Sequence, residues 1–156
     1  MTRFSIARAL ALGVPVALMA GALGSQYWGG LYPCEMCHWQ RWPHYVAIVF
    51  ALAAFGMSNA SVQRLLVLAA ALAIAVSGGI GAFHAGVEYG WWDGLAQCST
   101  MPGSGGGNII DDIMKTPLIR CDQAQWTLAG ISLAGFNAVI SLAASFAIFR
   151  LLQRRP

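Results

Sequence analysis

A chain of 156 residues with 58% hydrophobic residues, 10% charged residues and a formal net charge of +3 is too apolar for a soluble domain of this size, where roughly a quarter of residues are charged. The composition excludes an ordinary soluble enzyme and points to lipid as the solvent. The positive excess needs no nucleic-acid partner, because arginines anchoring helix ends use most of it.

Formal charge is missing from four intervals: between Arg8 and Glu35, Arg41 and Arg64, Arg64 and Glu88, and Asp122 and Arg150. Each exceeds the roughly 20 residues that an α-helix needs to cross a bilayer. The expected fold is an all-α integral membrane protein, a four-transmembrane-helix bundle making one membrane domain over 1–156. Its helices are expected at about 8–28, 43–58, 65–86 and 126–149. The first is read as a helix and not as a cleaved signal peptide. Ala20-Gly21-Ala22 resembles a cleavage site, but the apolar run continues through Tyr27 and Trp28, as an aromatic belt does.

Arg3, Arg8, Arg64, Arg150, Arg154 and Arg155 fall in the two tails and the 59–64 loop, whereas Arg41, Lys115 and Arg120 fall in the loops 29–42 and 87–125. The positive-inside rule then puts both termini in the cytoplasm and those two loops on the opposite side. Small residues at i, i+4 spacing, Gly13, Ala17 and Gly21 in the first helix and Ala134, Ala138, Ser141 and Ser145 in the last, predict close helix packing. The tryptophans, Trp28, Trp39, Trp42, Trp91, Trp92 and Trp126, lie near the outward helix ends, where they suit interfacial anchoring.

All four cysteines, Cys34, Cys37, Cys98 and Cys121, lie in the two outward loops. Cysteines used only as small hydrophobes would also appear in the spans, so the partition points to chemistry in an oxidising compartment. Cys34 and Cys37 form a C-x-x-C, whose small ring removes little chain entropy and makes a poor staple. It makes a good exchange site, because the second thiol is poised to resolve a mixed disulfide. Arg41, four residues beyond Cys37, would favour a thiolate there if the chain has entered a helix. Between Cys98 and Cys121, "MPGSGGGN" at 101–108 reads as a flexible linker, and it lacks the Lys-Ser/Thr of a phosphate-binding loop. Ile109, Ile110, Ile113, Met114 and Leu118, beside Asp111, Asp112 and Lys115, predict a short helix lying on the membrane surface.

The same stretch, "PCEMCHWQRWPH", also parses as C-x-x-C-H, the attachment signature of a c-type haem. That alternative makes the chain a haem-carrying membrane electron-transfer subunit. It gives Cys98 and Cys121 no role, and no spacing recommends His44, His84 or a methionine as the second axial ligand. A zinc site built from Cys34, Cys37 and histidines is weaker, because His38 adjoins Cys37 and the other histidines lie near helix ends.

"PCEMCHWQRWPHY" resembles the first outward loop of the DsbB family of disulfide bond formation proteins, with its pattern Pro-Cys-x-x-Cys-x-x-(Gln/Glu)-Arg. "FHAGVEYGWW" at 83–92 and "RCDQAQWTLAGISLAGFN" at 120–137 resemble the family as well. The resemblance implies a bacterial inner-membrane enzyme that reoxidises a DsbA-like periplasmic oxidase of thioredoxin fold and passes the electrons to a membrane quinone, ubiquinone or menaquinone. It also implies roles. Cys98, paired with Cys121, would be attacked by the partner; Cys34 and Cys37 would reoxidise that pair; Cys37, Arg41 and His84 would face the quinone, and no resident metal is expected. Glu88 is expected to be a solvated or capping carboxylate. Disulfide connectivity stays open, since four cysteines allow three pairings.

Overall fold

The computed structural model describes residues 2–94, 99–100 and 119–153. Helix α1, Arg3–Tyr27, is started by Thr2, whose hydroxyl accepts the Ser5 amide at 3.2 Å. A short loop leads to α2, Glu35–Gly56, capped by Cys34, whose sulfur accepts the Cys37 amide at 3.3 Å. Helix α3, Ala60–Glu88, is capped by Asn59, whose side-chain oxygen takes the Ser61 and Val62 amides at 2.9 and 3.1 Å. Each cap satisfies amides that the first helical turn leaves without a partner.

Beyond α3, β1 (Ser99–Thr100) pairs antiparallel with β2 (Ile119–Arg120), Ser99 opposite Arg120. A tight hairpin follows, β3 (Thr127–Leu128) against β4 (Ile131–Ser132). Its two turn residues, Ala129 and Gly130, have φ of 51° and 79°, the mirror-image turn that suits a two-residue hairpin. Helix α4, Leu133–Gln153, begins directly after it. The Ser132 hydroxyl caps α4 by accepting the Gly135 amide at 3.1 Å. The Tyr89 hydroxyl, just past α3, accepts the Ser132 amide at 2.9 Å and donates to the Gly130 carbonyl at 3.1 Å, which pins the hairpin to the end of α3.

The helix bounds differ from the sequence expectations in two informative places. α2 starts at Glu35, well ahead of 43, because Cys34 is a competent cap and Glu35 complements the positive helix end. α4 starts at Leu133 and not at 126, because the hairpin occupies 127–132. Cys98, the linker at 101–108, the surface helix expected near 109–118 and Arg154 and Arg155 lie outside the described residues.

α3 packs most extensively, on both α2 and α4, while α1 lies against α2 and α4. At the α3–α4 contact a Cβ on Gly78 would fall 2.9 Å from Leu142 Cγ, and one on Gly81 would fall 3.0 Å from the Ala134 carbonyl. Ser145 donates across to the Ala71 carbonyl at 3.0 Å. The expected stripe of α4, Ala134, Ala138, Ser141 and Ser145, is buried. The expected stripe of α1 is not. Gly13, Ala17 and Gly21 are exposed, and α1 buries Ala7, Ala11, Pro15 and Met19 instead. Both faces of α1 carry small residues, so spacing alone did not choose between them.

An alanine-rich core, including Ala11, Ala51, Ala70, Ile74 and Ile148, fills the half of the bundle toward the chain ends. Val49, Leu65, Leu72, Val76, Val139 and Phe146 are each more than half exposed, an outer surface that suits lipid. Among the described residues, α1, α3 and α4 are long and apolar enough to cross a membrane. α2, with Glu35 and Arg41 in its first two turns, falls below that mark.

Candidate active site

At the end of the bundle where α1 ends and α2 begins, Cys34, Met36, Val87, Ile119 and Cys121 form one buried cluster with Cys37 packed against it. Cys34 is 2% exposed and Cys121 1%. They arrive by different routes. Cys34 is placed by its capping role on α2, and Cys121 by β2, which buries Ile119 and leaves Arg120 outside, where it pairs with Asp122. The Arg120 guanidinium holds the Asp122 carboxyl below the usual range, and Asp122 in turn raises Arg120.

Cys34 and Cys37 are thiols in this structure. Cys34 Sγ donates to Cys37 Sγ at 2.9 Å. That hydrogen bond, followed by burial, pushes the Cys34 thiol well above the ordinary range, while the same bond pulls Cys37 down. The hydrogen bond sets the two thiols apart, favouring the protonated form at Cys34 and the thiolate at Cys37, in the first turn of α2 ahead of the apolar stretch. Burial opposes this at Cys37, the Cys34 backbone and Arg41 add smaller favourable contributions, and Glu88 a small opposing one.

Arg41 reaches away from the cysteines to α1, donating to Gln26 Oε1 and, at 3.2 Å, to the Ala22 carbonyl. It is thus held at the wall of a cavity of about 210 Å³ that Cys37, His84, Glu88, Asn137 and Phe136 also line. Ala17 and Gly21, the outward-facing small residues of α1, line it too. Their lack of bulk leaves the groove open.

His84, near the end of α3, is buried, with Nε2 3.6 Å from Cys34 Sγ and 3.7 Å from Glu88 Oε1. The Cys121 backbone lies within hydrogen-bonding reach of it. Glu88, expected to be a solvated or capping carboxylate, is not solvated: its side chain is 7% exposed and accepts a hydrogen bond from the Ser132 hydroxyl. His84 lies near a helix end, as expected of the histidines, and from there it reaches the cysteines. One potential ligand atom each from Cys34, Cys37 and His84 lie within 4.8 Å of one another. By contrast, His38, the histidine of the haem-type motif, is exposed.

Behind His84 runs a chain of side-chain amides. Gln40 Nε2 meets His84 Nδ1 at 2.8 Å, and Asn137 Nδ2 donates to Gln40 Oε1 at 2.8 Å. Asn137 Oδ1 meets His44 Nε2 at 2.9 Å and accepts from Ser141 at 2.9 Å. Ser77 joins Gln40 O and His44 Nε2. Sequence reasoning gave Gln40, Ser77 and Asn137 no role in the site. A usable signal was present for Ser77 and Asn137, since polar side chains inside charge-free apolar stretches are costly and tend to face one another.

Of the candidate residues, Cys34, Cys37, Cys121 and His84 come together, Arg41 shares their cavity, and Cys98 lies outside the described residues. Over residues 4–151 the chain matches the family model described as "Disulfide bond formation protein DsbB". No curated protein and no solved structure matches it.

Proposed function

Since the chain belongs to the DsbB family of disulfide bond formation proteins, we propose that this membrane protein is a quinone-reducing thiol oxidase that recharges a DsbA-like periplasmic partner. In this reading α2 is the fourth membrane-crossing helix, both termini are cytoplasmic, and the cysteine-bearing loops face the periplasm of a bacterial inner membrane. The whole chain is one membrane domain.

The partner's thiolate attacks the Cys98–Cys121 disulfide at Cys98, and the partner's second thiol resolves the mixed disulfide, leaving the partner oxidised and Cys98 and Cys121 reduced. Cys121 then attacks Cys34 of the Cys34–Cys37 disulfide, forming Cys34–Cys121 and releasing Cys37 as thiolate. Cys98 closes on Cys121 and releases Cys34. Two electrons have moved from the partner to the Cys34–Cys37 dithiol. The observation that carries this order is the burial of Cys121 in the same cluster as Cys34 and Cys37. The ladder joining Ser99, which follows Cys98 in the chain, to Arg120, which precedes Cys121, is consistent with their pairing.

The cavity beside Cys37 suits a quinone head group: its walls are mainly apolar, with Arg41, His84, Glu88, Arg120 and Asn137 among the polar groups. A bound quinone would supply the terminal two-electron acceptor. Arg41 would hold negative charge on an oxygen of that group and on the Cys37 thiolate, while its bonds to Ala22 and Gln26 keep the guanidinium at the wall.

The test is turnover of reduced DsbA-like partner with a soluble quinone analogue, followed by quinone absorbance. Unmodified protein should turn over, and Cys98→Ser should abolish transfer from the partner. Full turnover by Cys34→Ser would contradict the relay.

A further inference from the structure

We infer that Gln40 is a positioning residue that locks His84 as the neutral Nε2–H tautomer, making its imidazole a fixed hydrogen-bond donor to the sulfur of Cys34. The inference rests on the proposed relay for its chemical consequence and on hydrogen bonding alone for the tautomer.

Backbone carbonyls can only accept, so they orient the amide chain. Asn137 Nδ2 lies 3.2 Å from the Ser77 carbonyl, so this end of Asn137 is its NH2 group. The Gln40 atom 2.8 Å from the same nitrogen must then be the acceptor Oε1. The other end of Gln40 is its NH2 group, and the Met36 carbonyl at 3.2 Å requires this independently. One hydrogen of that group is used on Met36, and the other points to His84 Nδ1 at 2.8 Å. Nδ1 therefore accepts, and the ring proton sits on Nε2.

Nε2 faces Cys34 Sγ at 3.6 Å, within reach for the large sulfur atom, with Glu88 Oε1 at 3.7 Å and the Cys121 backbone as the other acceptors that share its hydrogen. A proton added at Nδ1 would oppose an N–H of Gln40, so the imidazolium is disfavoured while Gln40 stays in place. Nε2 is for the same reason no ready metal ligand, although it lies near two thiols. The Cys37 amide also donates to Cys34 Sγ at 3.3 Å. Two fixed donors thus converge on the sulfur that gains negative charge when Cys34 is released from Cys121 or attacks in turn. This is the logic of an oxyanion hole applied to sulfur. A neutral donor stabilises that passing charge without forming an ion pair.

Among the described residues, the titratable groups around His84 are Cys34 and Cys37 from α2, Glu88 on its own helix and Cys121 after β2, with Arg41 and Arg120 on the shared cavity wall. The experiment uses full-length reduced protein in nanodiscs with 15N-labelled histidine, His84 being assigned by its loss in His84→Leu. The expected result is a neutral Nε2–H signature that does not titrate between about pH 6 and 8. Gln40→Glu, which presents an acceptor to Nδ1, should move the proton to Nδ1 and give the exchange rate a new pH dependence in that window. His84→Leu should slow resolution of the Cys34–Cys121 disulfide, the step that releases Cys34, about tenfold, the scale of one hydrogen bond to a charged group, and His84→Gln, which keeps a donor, should recover most of that loss. An Nδ1–H or titrating His84 in the unmodified protein overturns the tautomer. A Gln40→Glu protein with a shifted proton but an unchanged rate and pH profile overturns the positioning role. Failure of the unmodified protein to reduce quinone, with the Nε2–H signature intact, refutes the proposed function and sustains the tautomer.

Discussion

Replacing Asn137 with leucine keeps the volume of the side chain and removes its polarity at the point where α2, α3 and α4 meet. Asn137 bonds to four residues: it donates to Gln40 Oε1 and the Ser77 carbonyl, accepts from Ser141, and meets His44 Nε2. Interhelical hydrogen bonds in membrane proteins are worth about 0.6 kcal/mol each on average. Three of them, to Gln40, Ser77 and His44, cross between helices and give an expected loss of roughly 1.8 kcal/mol, before counting His44 and Gln40, which would be left buried with fewer partners. Ser141→Ala removes only the bond made within α4 and leaves the three between helices, so it should cost less than about 0.6 kcal/mol. The assay is reversible unfolding in mixed micelles titrated with sodium dodecyl sulfate and followed by tryptophan fluorescence. A loss below about 0.5 kcal/mol for Asn137→Leu, or equal losses for the two variants, would refute the idea that this amide ties the three helices together.

The glycines provide a paired test of packing. Gly81→Ala puts a methyl 3.0 Å from the Ala134 carbonyl and Asn137 Nδ2 and should cost about 1–3 kcal/mol in the same unfolding assay; Gly13→Ala meets nothing within 4 Å and should cost nothing. Alkylation of the reduced protein should mark Cys37 first. Its lowered thiol titrates below the ordinary cysteine range, so its reaction rate rises at a pH where Cys34, pushed upward, is still protonated and inert; mass spectrometry of the tryptic peptides reads the order, and equal labelling would contradict it. Arg41→Leu should weaken saturation by the quinone analogue about tenfold or more while leaving transfer from the partner to Cys98 intact, as steady-state and single-turnover rates would show.

How far the molecule was legible in its sequence depended on the range of the signal. Charge-free intervals marked the helices because a bilayer penalises ionised groups wherever they fall, so that signal is local. The early start of α2 was missed because Arg41 and Pro43 look like a boundary, whereas Cys34 serves as both redox residue and helix cap. The late start of α4 was missed because Ile131 and Leu128 are as apolar as a span, and only the turn at Ala129-Gly130 separates them from it. In the site, Cys34, Cys37 and Arg41 were readable from one short motif. The approach of His84 to Cys34 and of Asn137 to Gln40 was not, since helix packing joins residues far apart in the chain. Glu88 was misjudged for the same reason: its partner Ser132 comes from the hairpin before α4.

The account turns on electrons passing between the two cysteine pairs through Cys121 and Cys34. The most direct measurement mixes oxidised protein with reduced DsbA-like partner, quenches with acid, alkylates free thiols and maps disulfides by mass spectrometry. A transient peptide pair linking Cys34 to Cys121, with Cys37 alkylated, is the predicted result. If the partner becomes oxidised while Cys34 and Cys37 remain joined to each other throughout, the relay is contradicted.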